Sequence, residues 1–320
     1  MKQVTIERMK PADRLTNPVD GTVKWDAAKS IWYSSHLIIG AAGTLFLFEW
    51  SNLFLCGALT VATLCCGHTV GLHRMLIHRS LVCPRWLERT LVYLGTLVGM
   101  GGPFGMIRLH EIRDWAQRHD RCHPFFIHRA AIWKDWIYNL HCKIELEHPP
   151  IFTIEKSNAD DPFYRFLQRT WMAQQLPVGV ILFLIGGWGA VAAGVPARIA
   201  LSLTGHWLIG YFAHNCGLRT WHLNGHSVQG FNIPYLGVLT MGECWHNNHH
   251  AYPNSARLGH AGQSDPGWWF VAALRRVGLA QEVMVPDDFP DRPERVELRT
   301  SQRSAGKPGN KIREIPGQTV

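Results

Sequence analysis

Apolar and polar positions divide this chain into long uncharged runs separated by charged, aromatic stretches. Ile31 to Phe48 carries no fixed charge, and Trp32 and Tyr33 at one end and Trp50 at the other suit the two interfaces of a bilayer. Leu53 to Leu72 is a second uncharged run of 20 residues, the length that spans about 30 Å of hydrocarbon. Only Glu49-Trp50-Ser51-Asn52 parts the two runs, which predicts a tight transmembrane hairpin with both outer ends on one side. Leu176 to Ala197 and Ile199 to Ala213 predict a second hairpin, turning at Gly194-Val195-Pro196-Ala197-Arg198. Leu91 to Ile107 is also apolar but carries Gly95, Gly99, Gly101, Gly102, Gly105 and Pro103, a density that weakens a helix. A crossing there would reverse the side of everything after it, so this stretch is expected to be re-entrant, interfacial or buried in protein.

The expected fold is an all-α membrane protein with four transmembrane helices in two hairpins, at about 31–50, 53–72, 175–197 and 199–214. A re-entrant or interfacial helix at about 88–107 and a cytoplasmic helical cap complete it. Residues 1–27 read as a poorly ordered cytoplasmic lead, 28–290 as the membrane domain, and 291–320 as a disordered basic tail.

Composition supports a membrane setting. Apolar residues make up 47% and charged residues 18%, below the soluble average of about 25%. The net charge of +8 is one that nucleic-acid binding can explain, but the apolar runs favour basic cytoplasmic loops, so no nucleic-acid partner is expected. Arg74, Arg79, Arg85, Arg89, Arg108, Arg113, Arg118 and Arg121 flank the runs on one side, whereas only Arg198 is placed opposite. The eight cysteines have no regular spacing and read as reduced and mostly buried. Residues 1–25 hold no apolar core before a cleavage site, so a signal peptide is not expected.

The candidate chemistry lies in the histidines. In Gly242-Glu243-Cys244-Trp245-His246-Asn247-Asn248-His249-His250-Ala251-Tyr252-Pro253, three imidazoles fall at i, i+3 and i+4, one face of a helix. Neutral imidazoles converging in this way suit iron, zinc or copper. His73 and His78 are five apart, which is not a single-face α-helical spacing, although a helix end or a distorted turn brings both inward. His110 and Asp114 share a helix face, as do His206, Gly210 and His214. The two-hairpin topology puts His73, His78, His110, His214, His246, His249 and His250 at one membrane face. His36, His68, His128, His141, His148, His206 and His260 read instead as interfacial, hydrogen-bonded or exposed. Trp115, Trp133, Trp136, Trp268 and Trp269 could line an apolar tunnel, but interface belts and cap packing account for most of them.

These residues resemble the membrane fatty acid desaturase family, particularly bacterial acyl-CoA or acyl-lipid desaturases. The family's first histidine box is matched by His73-Arg74-Met75-Leu76-Ile77-His78-Arg79, and its third by Gly242 to Pro253 continuing into Ser255-Ala256-Arg257-Leu258-Gly259. The second box departs: where the family has His, two residues and His-His, this chain reads His110-Glu111-Ile112-Arg113-Asp114. Asp114 remains a legitimate iron ligand and Arg113 does not. A rival alignment uses His119-Asp120-Arg121-Cys122-His123. The family's further histidine follows an Asn by four; His214 fits its place with Gly210 at the Asn position, and His222 and His226 are rivals.

The resemblance implies a centre of two Fe2+ ions, with O2 as co-substrate, that introduces a double bond into a fatty acyl chain carried by CoA or a lipid. Its metal ligands would be His73, His78, His110, Asp114, His214, His246, His249 and His250, with Glu243, Asp265 and Asn247 supporting them. Arg74 and Arg108 are weaker candidates for a substrate headgroup. The expected location is integral and multi-pass in a bacterial inner membrane, with the active face cytoplasmic. The sequence has no Gly-rich dinucleotide loop, haem domain or cysteine cluster, so a separate ferredoxin, rubredoxin or cytochrome-type donor is expected. A hydroxylase on the same fold, or a metal- or haem-binding membrane protein without desaturase activity, are the alternatives.

Overall fold

The computed structural model describes residues 7–260 and 262–298. Its strands are β1 (Met9–Lys10), β2 (Gly21–Trp25), β3 (Cys142–Leu146), β4 (Ile151–Phe152), β5 (Trp221–Leu223) and β6 (Arg295–Glu297). Its helices are α1 (Ala27–Phe46), α2 (Trp50–Ile77), α3 (Arg85–Leu97), α4 (Pro103–Gln117) and α5 (Ile132–His141), followed by α6 (Lys156–Ala159), α7 (Pro162–Thr170), α8 (Gln175–Asn215), α9 (His246–Ala251) and α10 (Pro266–Arg276). Helices dominate, and the expected all-α class is amended by three small antiparallel pairs, β1–β4, β2–β3 and β5–β6.

Two helices are long and apolar enough to cross a membrane, α2 with 28 residues and α8 with 41. The first half of α2 is exposed, with Phe54 at 80%, while its second half is buried almost throughout. α1 turns into α2 at Leu47–Glu49, and it too exposes large apolar side chains, Ile38 at 67% and Phe46 at 84%.

α8 is two arms rather than one rod. Gly186 and Gly187 leave helical geometry, Gly187 at φ 63°, a left-handed value that suits glycine. The turn expected at Gly194–Arg198 is therefore eight residues too late. At that point the chain winds through a π-helical stretch, Ala193–Ala197, and continues. Proline has no N–H to place in the ladder, so Pro196 is tolerated where the ladder is already loosened. Arg198 is not a loop residue either. It is 1% exposed and donates to the carbonyls of Gly194 and Leu97 and to Gln175 Oε1 at 2.6 to 2.7 Å.

The second half of α2, Ala62–Ile77, is wound as a π-helix. It packs flat against α3, because Gly67 and Gly71 admit the α3 backbone: a Cβ at Gly71 would lie 2.6 Å from Leu91 O, and one at Gly67 would lie 2.3 Å from Gly95 N. α3 and α4 form a broken pair, interrupted at Val98–Gly102 where Gly99 has φ 85°. The glycine-rich stretch is thus a helix break buried against protein, one of the placements its composition allowed. All eight cysteines are free.

The segment read as a poorly ordered lead contributes β1 and β2 from residue 9 onward. Arg8 is 2% exposed and anchors this segment, pairing with Glu111 at 2.7 Å and Glu155 at 2.8 Å and donating to Ile77 O at 2.8 Å. At the other end, β6 pairs with β5, so residues 295–297 are part of the fold. The rest of the expected tail, 299–320, lies outside the described residues.

Candidate metal centre

Seven imidazoles come together in two groups, His73, His78, His110 and His249 in one and His214, His246 and His250 in the other. Within each group the ligand nitrogens all lie within 4.8 Å of one another. Each element delivers its histidine for a local reason. The π winding of α2 stacks residues five apart: His78 N donates to His73 O at 3.0 Å, and the two rings sit 4.8 Å apart. α4, started by Pro103 in its first turn, brings His110 up so that its Nε2 lies 3.3 Å from His78 Nε2. The last turn of α8 supplies His214, whose Nδ1 donates to Gly210 O at 2.7 Å, leaving Nε2 free to face inward. α9 supplies the rest, and its i, i+3, i+4 spacing splits His249 to one group and His246 and His250 to the other.

α9 is only six residues long and is held from outside. Asn232 Oδ1 accepts the N–H groups of Asn247 and Asn248 at 3.0 and 3.2 Å, a capping interaction made across sequence. Asn247, expected to support the ligands, clamps the neighbouring loop: its Oδ1 accepts from Thr220 N and Trp221 N, both at 2.8 Å, and its Nδ2 donates to Gly230 O at 3.0 Å. Asn232 was missed in the sequence because it stands far upstream of the helix it caps.

The carboxylates divide in role. Glu243 Oε2 lies 3.1 Å from His73 Nδ1, behind a ring of the first group. Asp114, expected as a ligand, stands outside both groups: its Oδ1 is 3.7 Å from His110 Nδ1, and Arg118 donates to its Oδ2 at 3.1 Å. Asp265 touches no ligand ring. It is bound by Arg74 at 2.8 Å and accepts from Leu258 N, Gly259 N and Trp268 N at 2.9 Å. Arg74 is 1% exposed, so its burial excludes the headgroup contact expected of it, whereas Arg108 is exposed.

Arg113 points away from the imidazole groups. It contacts His128 Nε2 and donates to Asn139 Oδ1 at 3.0 Å, while His128 stacks on His214 with centroids 5.1 Å apart. The rivals fall elsewhere. His119 Nδ1 is bonded to Trp115 O, His123 caps a short turn at Phe125, and His222 and His226 belong to neither group. His226 does line a small recess with Asp114, His249 and His250. Of the tryptophans, Trp136 packs on Tyr33 and His141, and Trp133 and Trp269 are more than half exposed.

The donor set fits a transition-metal pair. Burial, followed by the neighbouring imidazoles, pushes His78, His246 and His249 well below the ordinary histidine value. Burial likewise brings His110 and His250 down to about 4, so these rings are neutral at pH 7, the form that ligates. Nε2 atoms face one another at 3.3 Å for His78 and His110, 3.2 Å for His214 and His246, and 3.0 Å for His246 and His250. Nitrogens held at roughly 2.1 Å from one metal ion are themselves about 3.0–3.4 Å apart, so these spacings match the edges of a coordination shell. Nδ1 of His110 and of His249 are buried without a hydrogen-bond partner among the described residues.

A cleft of about 1130 Å³ opens beside this centre, running from His78 and Asp114 past Tyr252 to Arg292 and Arg295.

Known proteins align with most of the chain. It is 35% identical over 264 residues to the sn-1 stearoyl-lipid 9-desaturase of Anabaena variabilis, covering 80% of this chain and 94% of that one. It is 32% identical to Delta-9 acyl-lipid desaturase 2 of Arabidopsis thaliana, covering 83% and 86%. It is 29% identical to the acyl-CoA C20 Delta5-desaturase of Anemone leveillei, covering 87% and 89%. No family model matches the chain.

Proposed function

This chain belongs to the fatty acid desaturase family, and on that premise we propose that it is an oxygen-dependent acyl-lipid desaturase with a metal pair held by its two imidazole groups. The observation that carries the reading is the convergence of seven imidazoles from α2, α4, α8 and α9 into two adjoining sets. His73, His78, His110 and His249 would hold one iron, and His214, His246 and His250 the other. Iron, when bound, supplies the activation of O2 that allows an unactivated C–H bond to be broken.

The protein's own contribution is placement. Glu243 behind His73 and Gly210 O behind His214 fix ring orientation and keep the inward nitrogen unprotonated. The buried half of α2 and the helices packed on it keep the centre dry. The acyl chain must lie past both groups so that one pair of methylenes is presented; holding it still is most of the catalytic task. The polar head of the substrate would rest in the cleft, which Arg118, Arg275, Arg292 and Arg295 line together with Asp114 and Glu282. Relatives named for acyl-lipid substrates and for position 9 make a lipid-bound acyl chain and that position the first to test.

In this reading the protein is multi-pass in a bacterial inner membrane. α1, the whole of α2 and the two arms of α8 would give four crossings, with the imidazoles in a cytoplasmic cap. The exposed apolar surfaces of these helices support it, Leu184 at 78% and Trp50 at 77% among them. The hairpin tips at 47–49 and 186–187 carry no Lys or Arg, consistent with the positive-inside pattern. Electrons would come from a separate donor protein.

The test is expression in a host lacking endogenous desaturases, with lipid profiling and location of the double bond by mass spectrometry. New monounsaturated acyl chains that vanish in His246→Ala are the expected result. Hydroxylated chains instead would assign a hydroxylase, and an unchanged profile with an active donor present would overturn the reading.

A further inference from the structure

We infer that the two imidazole groups are unequal metal sites, and that the four-histidine group binds at least tenfold more tightly than the three-histidine group. The inference rests on the metal-pair reading above and goes beyond it.

Donor number is the first reason: His73, His78, His110 and His249 offer four nitrogens, and His214, His246 and His250 offer three. The atoms behind the rings are the second. In the first group the Glu243 carboxylate stands behind a ligand ring, 3.1 Å from His73 Nδ1, whereas Asp114, 3.7 Å from His110 Nδ1 and paired with Arg118, also lines a recess with His250 and so faces both groups. In the second group the groups nearest His214 are neutral, Gly210 O at 2.7 Å from Nδ1 and the Gln117 amide at 3.5 Å from Nε2. A carboxylate behind an imidazole raises its basicity, and removing such a partner costs about 10–100-fold in metal affinity.

Fixed charge is the third reason. The Arg113 guanidinium contacts His128, and the His128 ring lies parallel to His214 with centroids 5.1 Å apart. Asp135, 3.1 Å from His128 Nδ1, offsets part of this charge but lies on the far side of His128 from Arg113. A dication entering the second group therefore meets three neutral donors with a cation one ring away. One entering the first meets four donors, with the Glu243 carboxylate, itself 3.9 Å from Arg74, behind one of them.

The experiment is equilibrium titration of the purified full-length protein, stripped of metal in detergent, with Co2+ at buffered free concentrations. Bound metal is counted by mass spectrometry and the ligand-field bands are followed in the visible. Two steps of one equivalent each, separated at least tenfold, are expected. His214→Ala should remove only the weaker step, and Glu243→Gln should weaken the tighter step tenfold or more and narrow the gap. Circular dichroism and gel filtration establish that each variant is folded. Two equivalents taken up in one step, or loss of the tighter step in His214→Ala, would overturn the inequality while leaving the metal pair standing. No uptake by the unaltered protein would overturn both.

Discussion

Replacing Asp265 by Asn tests the structural account of the fold at one of its most buried charges. Asp265 and Arg74 are each 1% exposed. Arg74 donates to Asp265 Oδ1 at 2.8 Å and to Ala256 O at 2.7 Å, and Asp265 accepts three backbone N–H groups, from Leu258, Gly259 and Trp268. The pair thus ties α2 to α10 and to the loop following the third histidine box. Asp265→Asn keeps the volume, leaves the guanidinium buried without its counter-charge, and turns an NH2 toward groups that donate. Breaking one side of a buried pair costs about 3–5 kcal/mol, a fall in Tm on the order of 10 °C for a chain of this size. The assay is thermal unfolding in detergent followed by tryptophan fluorescence, with Arg74→Met and the double variant completing the cycle. Because each single variant strands its partner, the double variant should cost less than the sum by about 1–3 kcal/mol. Asp265→Asn within about 1 kcal/mol of the unaltered protein, or strict additivity, would refute the reasoning.

Gly71→Ala should destabilise by about 1–3 kcal/mol through overpacking, since its Cβ would meet the Leu91 backbone at 2.6 Å; an unchanged Tm would mean that α2 and α3 can part freely. Asn232→Ala removes the cap of α9 and should cost about 1–2 kcal/mol with weakened metal retention, read by Tm and metal content. Asp161 gives a pH signature. Burial opposes its charge, but Arg89, Arg85 and the N–H groups of Tyr164 and Phe163 prevail and hold its pKa down to about 2. With a depressed folded value, its stabilisation is full above the unfolded value of about 3.9 and is lost as pH falls toward 2. Asp161→Asn should therefore narrow the difference in stability between pH 5 and pH 2.5, measured by chemical unfolding at each pH.

The long apolar runs and the i, i+3, i+4 triplet were legible because each is a local pattern with a fixed period. The second hairpin's turn was not. Pro196 and Arg198 look like punctuation, yet a loosened helical turn absorbs the proline, and distant acceptors, Leu97 O and Gln175 Oε1, receive the guanidinium. The true signal was the plainer Gly186-Gly187 pair. The N-terminal strands escaped notice because β1 is two residues long and takes its partner from residues 151–152. Arg8 carried no local signal, since Glu111 and Glu155 lie more than a hundred residues away. In the centre, the seven histidines were legible by type and spacing, but the parts played by Asp114, Asp265 and Arg74 depended on which carboxylate faced which cation, a matter of tertiary packing alone.

The loose winding of α2 between residues 62 and 77 makes the length of that stretch more demanding than most of its letters. Were one residue lost there with the winding kept, everything downstream would swing by roughly a quarter of a turn about the axis. The imidazole now numbered 78 would then look away from its neighbours while remaining, letter for letter, in place. Point substitutions at exposed positions of the same helix carry no such penalty, so tolerance along α2 should differ sharply between swapping a residue and dropping one.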